Sequence, residues 1–293
     1  MASMRDFVPA VRAVGPIRFV RKVWKEIVQD DLFTLAAALA YAWLFAIFPF
    51  LIFLLTLFAY IPHDRKVSAY EQIAAAINKI MAHDAAQTIL TNLDQVLNEP
   101  KTGLLGIGIV VTIWVASGGM SMTMSALDAA YDVPNTRPFY MQRPVAIGLT
   151  IVVTTLILAV LLLLPVGTAV MHWLTKRALV PIPLLWLLNF IRYGLAILLM
   201  FLVLSLLYRF GASVKTSFSF FSPGAVFTVL VWILLGAAFR FYVDKFGRYQ
   251  QTYGALGGVT IILFFFYIDA LVLLIGAEIN SEVDRALNPI TGG

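Results

Sequence analysis

Three ionisable residues stand where water is scarce: Arg192 in LLNFIRYGLAILL, Asp269 in the run YGALGGVTIILFFFYIDALVLLIGAEIN, and Glu278 further along that same run. A charge inside an apolar stretch long enough to cross a bilayer is costly. It is expected to face protein, a cavity or a partner, and by default to mark a path for substrate, ion or proton. At 100° per residue Asp269, Gly276 and Asn280 share one face of their helix, while Glu278 falls on the opposite face with Glu282 and Arg285. The two carboxylates are therefore expected to do different jobs. Glu278 sits within a turn of the helix end, where it can reach water or clip a second helix. Asp269 lies ~21 Å in from Ala255, too deep to snorkel. Asn189, Arg192 and Tyr193 form an i, i+3, i+4 polar patch, and Arg192, ~12 Å from Leu184, is the expected partner of Asp269. The pair is either a structural strut or a polar site in a substrate path that also takes in Asn189, Tyr193 and Asn280.

Enzyme chemistry finds little here. Metal-dependent hydrolysis needs clustered His and carboxylate ligands, and the three histidines, His63, His83 and His172, are scattered. There is no GxSxG elbow, HExxH helix, P-loop or dinucleotide fingerprint. GLLGIGIVV and SGGMS are glycine-rich, but within apolar helices small residues serve close packing rather than phosphate cradling. No catalytic residue, metal ligand or cofactor is assigned, and the chain is expected not to be an enzyme. With no cysteine at all, disulfide and thiol chemistry are excluded.

These residues must be positioned by membrane-spanning helices. Hydrophobic residues make up 61% of the chain and charged ones only 13%, against about 25% charged in a soluble domain. Charge-free windows run over Leu32 to Pro62, Thr102 to Leu127, Val145 to Met171, Ala178 to Tyr208 (broken by Arg192), Thr216 to Phe239, and Tyr249 to Ala277 (broken by Asp269). Each holds the ~20 apolar residues a spanning helix needs. The runs are continuous, without the alternation of a barrel strand. The expected fold is all-α, a polytopic bundle of six transmembrane helices in one domain over 32–285, preceded by a basic arm over 1–31 and followed by a tail over 286–293. Arg5, Arg12, Arg18, Arg21, Lys22 and Lys25 beside the first run place the N-terminus in the cytoplasm, and six spans return the C-terminus there. The basic balance, +5 overall, belongs to anionic headgroups rather than nucleic acid.

Between the first two spans, 62–101 carries SAYEQIAAAINKIM and DAAQTILTNLDQVLNE, whose Ile and Leu residues recur at helical spacing. An external amphipathic helical segment is expected, a surface cap or a lid. Pro49 within the first span marks a kink or hinge, with Tyr41 nearby and Gly254 near the start of the last span as further structural or gating positions. Arg240, Lys245 and Arg248, set among tyrosines, form a basic, aromatic turn suited to headgroup contact.

Taken together, AAALAYAWLFAIFP (Ala36 to Pro49), DVPNTRPF (Asp132 to Phe139), SPGAV, YGALGG and GAEIN resemble, in that order, segments of the YihY/BrkB family of bacterial inner-membrane proteins. The resemblance extends from about Asp30 to Arg285. It implies six spans with cytoplasmic termini in the inner membrane, and names attached to the family range from serum-resistance factor to ribonuclease. The expected function is that of an inner-membrane transporter or flippase-like protein for an amphipathic or anionic envelope-related substrate, with membrane lipids as its partners. The alternatives are an exporter of a small osmolyte or organic anion, and a non-transporting scaffold bound to an envelope-complex protein.

Overall fold

A computed structural model describes residues 3–59, 102–133, 137–176, 181–214, 218–246 and 249–287. The segment 62–101, expected to be an amphipathic cap, lies outside these. Among the described residues the chain is helical and contains no strand. It falls into two units, one formed by Met1–Leu44 with Ser117–Gly293 and the other by Phe45–Ala116. The second unit holds the C-terminal part of helix α3 (Leu32–Ala59) and the N-terminal part of α4 (Thr102–Ala130). All that follows concerns the first.

The basic arm is folded. Ser3 and Asp6 form a capping box that starts α1 (Met4–Val14), and Gly15, at φ 89°, breaks the chain before α2 (Pro16–Gln29), which opens on Pro16. In α2, Phe19, Val23 and Ile27 recur every four residues and are buried. Ile17, Val20, Trp24 and Val28 form a second, exposed apolar stripe, and Arg18, Arg21, Lys22 and Lys25 are exposed between the two. Such a helix suits a membrane interface. At Asp30 and Asp31, the latter at φ 51°, the chain bends by 59° into α3.

The remaining helices are α5 (Phe139–Lys176), α6 (Ile182–Leu206), α7 (Pro223–Phe246) and α8 (Tyr249–Leu287). A π turn, Leu207–Gly211, closes α6; such wide turns recur at functional sites. α5 packs on α6, α6 on α7, and α7 on α8, while α1 and α2 lie along α8. Short connections make successive helices antiparallel, so α6 and α8 run the same way. The core gathers at one end of the unit. Leu32, Leu127, Leu204, Val229, Leu273 and Val283 meet there, whereas Leu162, Trp186, Phe190 and Leu234 on α5, α6 and α7 are more than half exposed, as expected of surfaces that face lipid.

Among the described residues three helical stretches, Phe139–Leu163, Pro183–Gly211 and Gly258–Leu287, are long and apolar enough to cross a membrane, and a fourth span is formed if the bent α2–α3 pair counts as one. The all-helical, multi-pass character read from the sequence is thus observed. A shorter apolar helical stretch, Pro223–Phe239, lies in α7.

Candidate functional site

The tightest place in the molecule is the crossing of α7 and α8. Any Cβ on Gly224 would fall on the carbonyl of Gly276, and any Cβ on Gly276 would fall on the hydroxyls of Thr228 and Tyr208. Only glycine lets the two backbones approach this closely. Ser222 begins α7 by accepting from the Ala225 amide through its hydroxyl, at 3.2 Å. Asn280 reaches across from α8: its Oδ1 accepts from the Gly224 amide at 2.8 Å, and its Nδ2 donates to the Tyr131 hydroxyl at 3.3 Å. The Tyr208 hydroxyl, in the π turn, lies 2.9 Å from that of Thr228 and donates to the Leu273 carbonyl at 3.0 Å. An open helix N-terminus is thereby satisfied by side chains rather than water. The expected common face of Gly276 and Asn280 is present, and both residues are turned onto α7.

Two further polar locks hold the ends of α4 and α6. Asp128 accepts from the Ser213 amide at 2.5 Å and from its hydroxyl at 2.9 Å. Arg137 donates to the carbonyls of Phe210 at 2.9 Å, Gly211 at 3.4 Å and Ala212 at 3.1 Å, capping the π turn with a cation where carbonyls are left over. Both locks join residues more than 70 positions apart, so no local pattern announces them. Tyr131, Tyr208 and Thr228 likewise carried no signal beyond being polar residues near apolar runs.

Arg192 and Asp269 do not pair. The Arg192 guanidinium donates to Thr168 Oγ1 on α5 at 2.9 Å, its stem lies against Gly167, and its Cζ sits 4.7 Å from the centre of the Tyr193 ring. Asp269 is half-buried; its backbone carbonyl accepts from Trp232 Nε1 at 3.4 Å. Among the described residues no ion pair to its carboxylate is seen. The reason is depth. Tyr208 is level with Leu273, so Arg192 lies ~24 Å, and Asp269 only ~6 Å, back along parallel helices. The difference, ~18 Å, is more than an arginine side chain spans.

Of the two roles expected for Glu278, reach to water is not seen: it is fully buried on α8, which packs against the N-terminal helices. Beyond it, Arg285 pairs with Asp132 and, at 2.9 Å, with Glu282. Asn189 is half-buried, while Tyr193 and Tyr41 are exposed. Pro49 lies within α3, Gly254 within α8, and Arg240 and Lys245 within α7, but their side chains, and all of Arg248, lie outside the described residues.

The family described as Virulence factor BrkB matches residues 23–291. A protein of Bacillus subtilis (strain 168) named Putative ribonuclease-like protein YfkH is 36% identical over 252 residues, covering 85% of this chain and 89% of its own length. A UPF0761 membrane protein of Haemophilus influenzae is 24% identical over 272 residues, 89% of this chain and 93% of the relative. Another, of Xanthomonas axonopodis pv. citri, is 24% identical over 277 residues, 91% of this chain but 61% of the relative, so this chain spans less than two thirds of that longer protein. No solved structure matches.

Proposed function

This chain belongs to the BrkB virulence-factor family, which includes relatives named as membrane proteins, and from that premise we propose that it is a six-span, flippase-like transporter of the bacterial inner membrane, moving an amphipathic, anionic envelope lipid. The observation that carries the reading is the seat of Arg192. A cation only 8% exposed lies between α5 and α6, while Trp186, Phe190 and Tyr193 around it are 73%, 77% and 51% exposed. Such a seam offers an anionic headgroup a counter-charge and its acyl chains an apolar wall, and a charge at membrane depth is seldom kept without a task. Asp269, uncompensated on α8, supplies a second polar step farther along.

The finer topology belongs to the same proposal. α3 and α4 are continuous helices of 28 and 29 residues, ~42 Å at 1.5 Å per residue, which supports counting them, with α7, among six spans. Both termini are then cytoplasmic, α2 lies on the headgroups through its exposed apolar stripe and basic edge, and 62–101 is an external amphipathic cap. The ribonuclease-like name belongs to the Bacillus relative; here the absence of a catalytic constellation in the sequence supports a non-enzyme that takes no nucleic acid. An osmolyte exporter would use the same basic seam for a small organic anion. An envelope scaffold is less well supported, since the tight Arg192–Asp269 strut it called for is not formed.

The test is reconstitution into vesicles bearing a fluorescent anionic phospholipid on one leaflet, followed by chemical quenching of the accessible pool. Wild-type protein is expected to equilibrate the lipid faster than empty vesicles, and Arg192→Gln to lose most of that rate. Lipid movement equal in empty and loaded vesicles would refute the flippase reading, and exchange of a small organic anion in those vesicles would put the exporter in its place.

A further inference from the structure

Where α2 bends into α3, three carboxylates from separate segments converge. One oxygen each from Glu26, Asp30 and Asp132 lies within 4.8 Å of the others. Glu26 comes from α2, Asp30 from the bend, and Asp132 from the turn after α4, held there at φ 49°. Like charges this close repel unless something neutralises them. Arg285 pairs with Asp132, but its remaining contact goes to Glu282.

A second observation comes from α8. Glu278 is 0% exposed, neither of its oxygens has a hydrogen-bond partner, and one oxygen of Asp30 is buried and unpartnered as well. Two members of the cluster, Asp30 and Glu26, are among the charges that act on Glu278, and α2, which carries Glu26, packs on α8. Buried carboxylate oxygens without hydrogen-bond partners, set against further carboxylates, call for more positive charge than Arg285 supplies through its contacts with Asp132 and Glu282.

We infer that Glu26, Asp30 and Asp132 bind a hard divalent cation, with Glu278 as the buried counter-charge behind it. Oxygen-only ligands suit Mg²⁺, Ca²⁺ or Mn²⁺ rather than zinc or copper. Ligand oxygens around such an ion stand about 3 to 5 Å apart, a spacing the three side chains already approach. The ion ties the amphipathic α2 and the α2–α3 bend to the end of α4, and its charge offsets Glu278 on α8. It thereby fixes the interfacial helix to the bundle. The site was not legible as a motif because its ligands stand at positions 26, 30 and 132, with no histidine among them. The inference is independent of whether the chain moves lipid.

Full-length protein in detergent, stripped with chelator and returned to Mn²⁺ alone, tests this by titration and by paramagnetic resonance of the bound ion. One Mn²⁺ per chain is expected to bind saturably and to raise the thermal midpoint. Asp132→Asn should weaken binding at least ~tenfold, the range seen when support of a metal site is lost. Asn tolerates positive φ, so that variant should fold. Asp31→Asn is the matched control, also at positive φ and also losing one charge, and should change binding less than about twofold. Wild-type protein that is folded but shows no saturable Mn²⁺ overturns the site. Equal weakening by Asp31→Asn and Asp132→Asn also overturns it, because the ions would then form only a diffuse counter-ion cloud.

Discussion

The α7–α8 crossing and the α5–α6 seam are both polar places among apolar helices, and they are built on opposite terms. At the crossing, Asn280, Tyr208, Thr228 and Tyr131 satisfy one another and a helix N-terminus, and two glycines remove the space between backbones. At the seam, Arg192 donates to Thr168 and lies over the Tyr193 ring, with exposed apolar neighbours. A fully matched network specifies one geometry. A buried cation beside an exposed apolar surface joins a charge to a wall that lipid can cover. On the proposed function the crossing is a strut and the seam a site, and substitutions in the two should then fail in different ways.

The largest effect is expected from Gly276→Val. Its side chain has nowhere to go but into Tyr208, Thr228 and the Gly224 backbone, and overpacking a rigid contact costs about 3 kcal/mol or more. Little monodisperse protein should be recovered in detergent. Gly148→Val on α5, where nothing lies within 4 Å, should yield normal material. If both behave alike, the crossing is not a rigid contact.

Asn280→Ala comes next. It leaves the buried Gly224 amide and Tyr131 hydroxyl without partners, a loss of about 1 to 3 kcal/mol visible as a lower thermal midpoint. Asn280→Asp keeps the acceptor for Gly224 and loses the donor to Tyr131, so it should fall between the two. A wild-type midpoint for Asn280→Ala would mean water replaces the side chain and the strut is soft.

Arg192→Gln should do the reverse. It gives up the hydrogen bond to Thr168, about 1 kcal/mol, yet should abolish most lipid movement. Combined with Asp269→Asn, its stability effect should add to within about 0.5 kcal/mol, as for sites with no shared partner. Strong coupling between the two would restore the ion pair and undo the contrast drawn here.

The legible part of this molecule was what repeats locally. Continuous apolar runs gave the helices from α3 to α8, and 100° steps correctly set Gly276 and Asn280 together and Glu278 on the far side. Depth is not legible in this way, because the start of an apolar run does not fix where a helix begins. α8 starts at Tyr249, six residues before Ala255, and α6 at Ile182; a helix enters the membrane where its neighbours hold it, which composition does not record. The basic arm was legible as charge but not as two helices, because the stripe Phe19, Val23, Ile27 becomes meaningful only against α8. The contacts of Arg137 and Asp128, and the convergence of Glu26, Asp30 and Asp132, depend wholly on which ends meet in space.

The smallest effect concerns Asp30, outside the spanning segments, and it sharpens the comparison by adding a third kind of polar place, one completed by an ion. Burial raises the pKa of Asp30 from its ordinary 3.8, the charge of Glu26 adds to the rise, and Arg285 opposes it. A carboxyl raised on folding holds its proton more tightly in the folded state, so its contribution is fully present below 3.8 and is lost as pH climbs through the raised value. In chelator, the thermal midpoint of the wild type should therefore carry a declining component as pH rises above 3.8, and Asp30→Asn, which does not titrate, should lack it. A bound cation favours the ionised carboxylates, so Mn²⁺ should stabilise the wild type more as pH rises across that range and cancel the decline. If Asp30→Asn shows the same pH slope as the wild type in chelator, the neighbouring charges are compensated by protein alone, and the bend is a strut like the crossing.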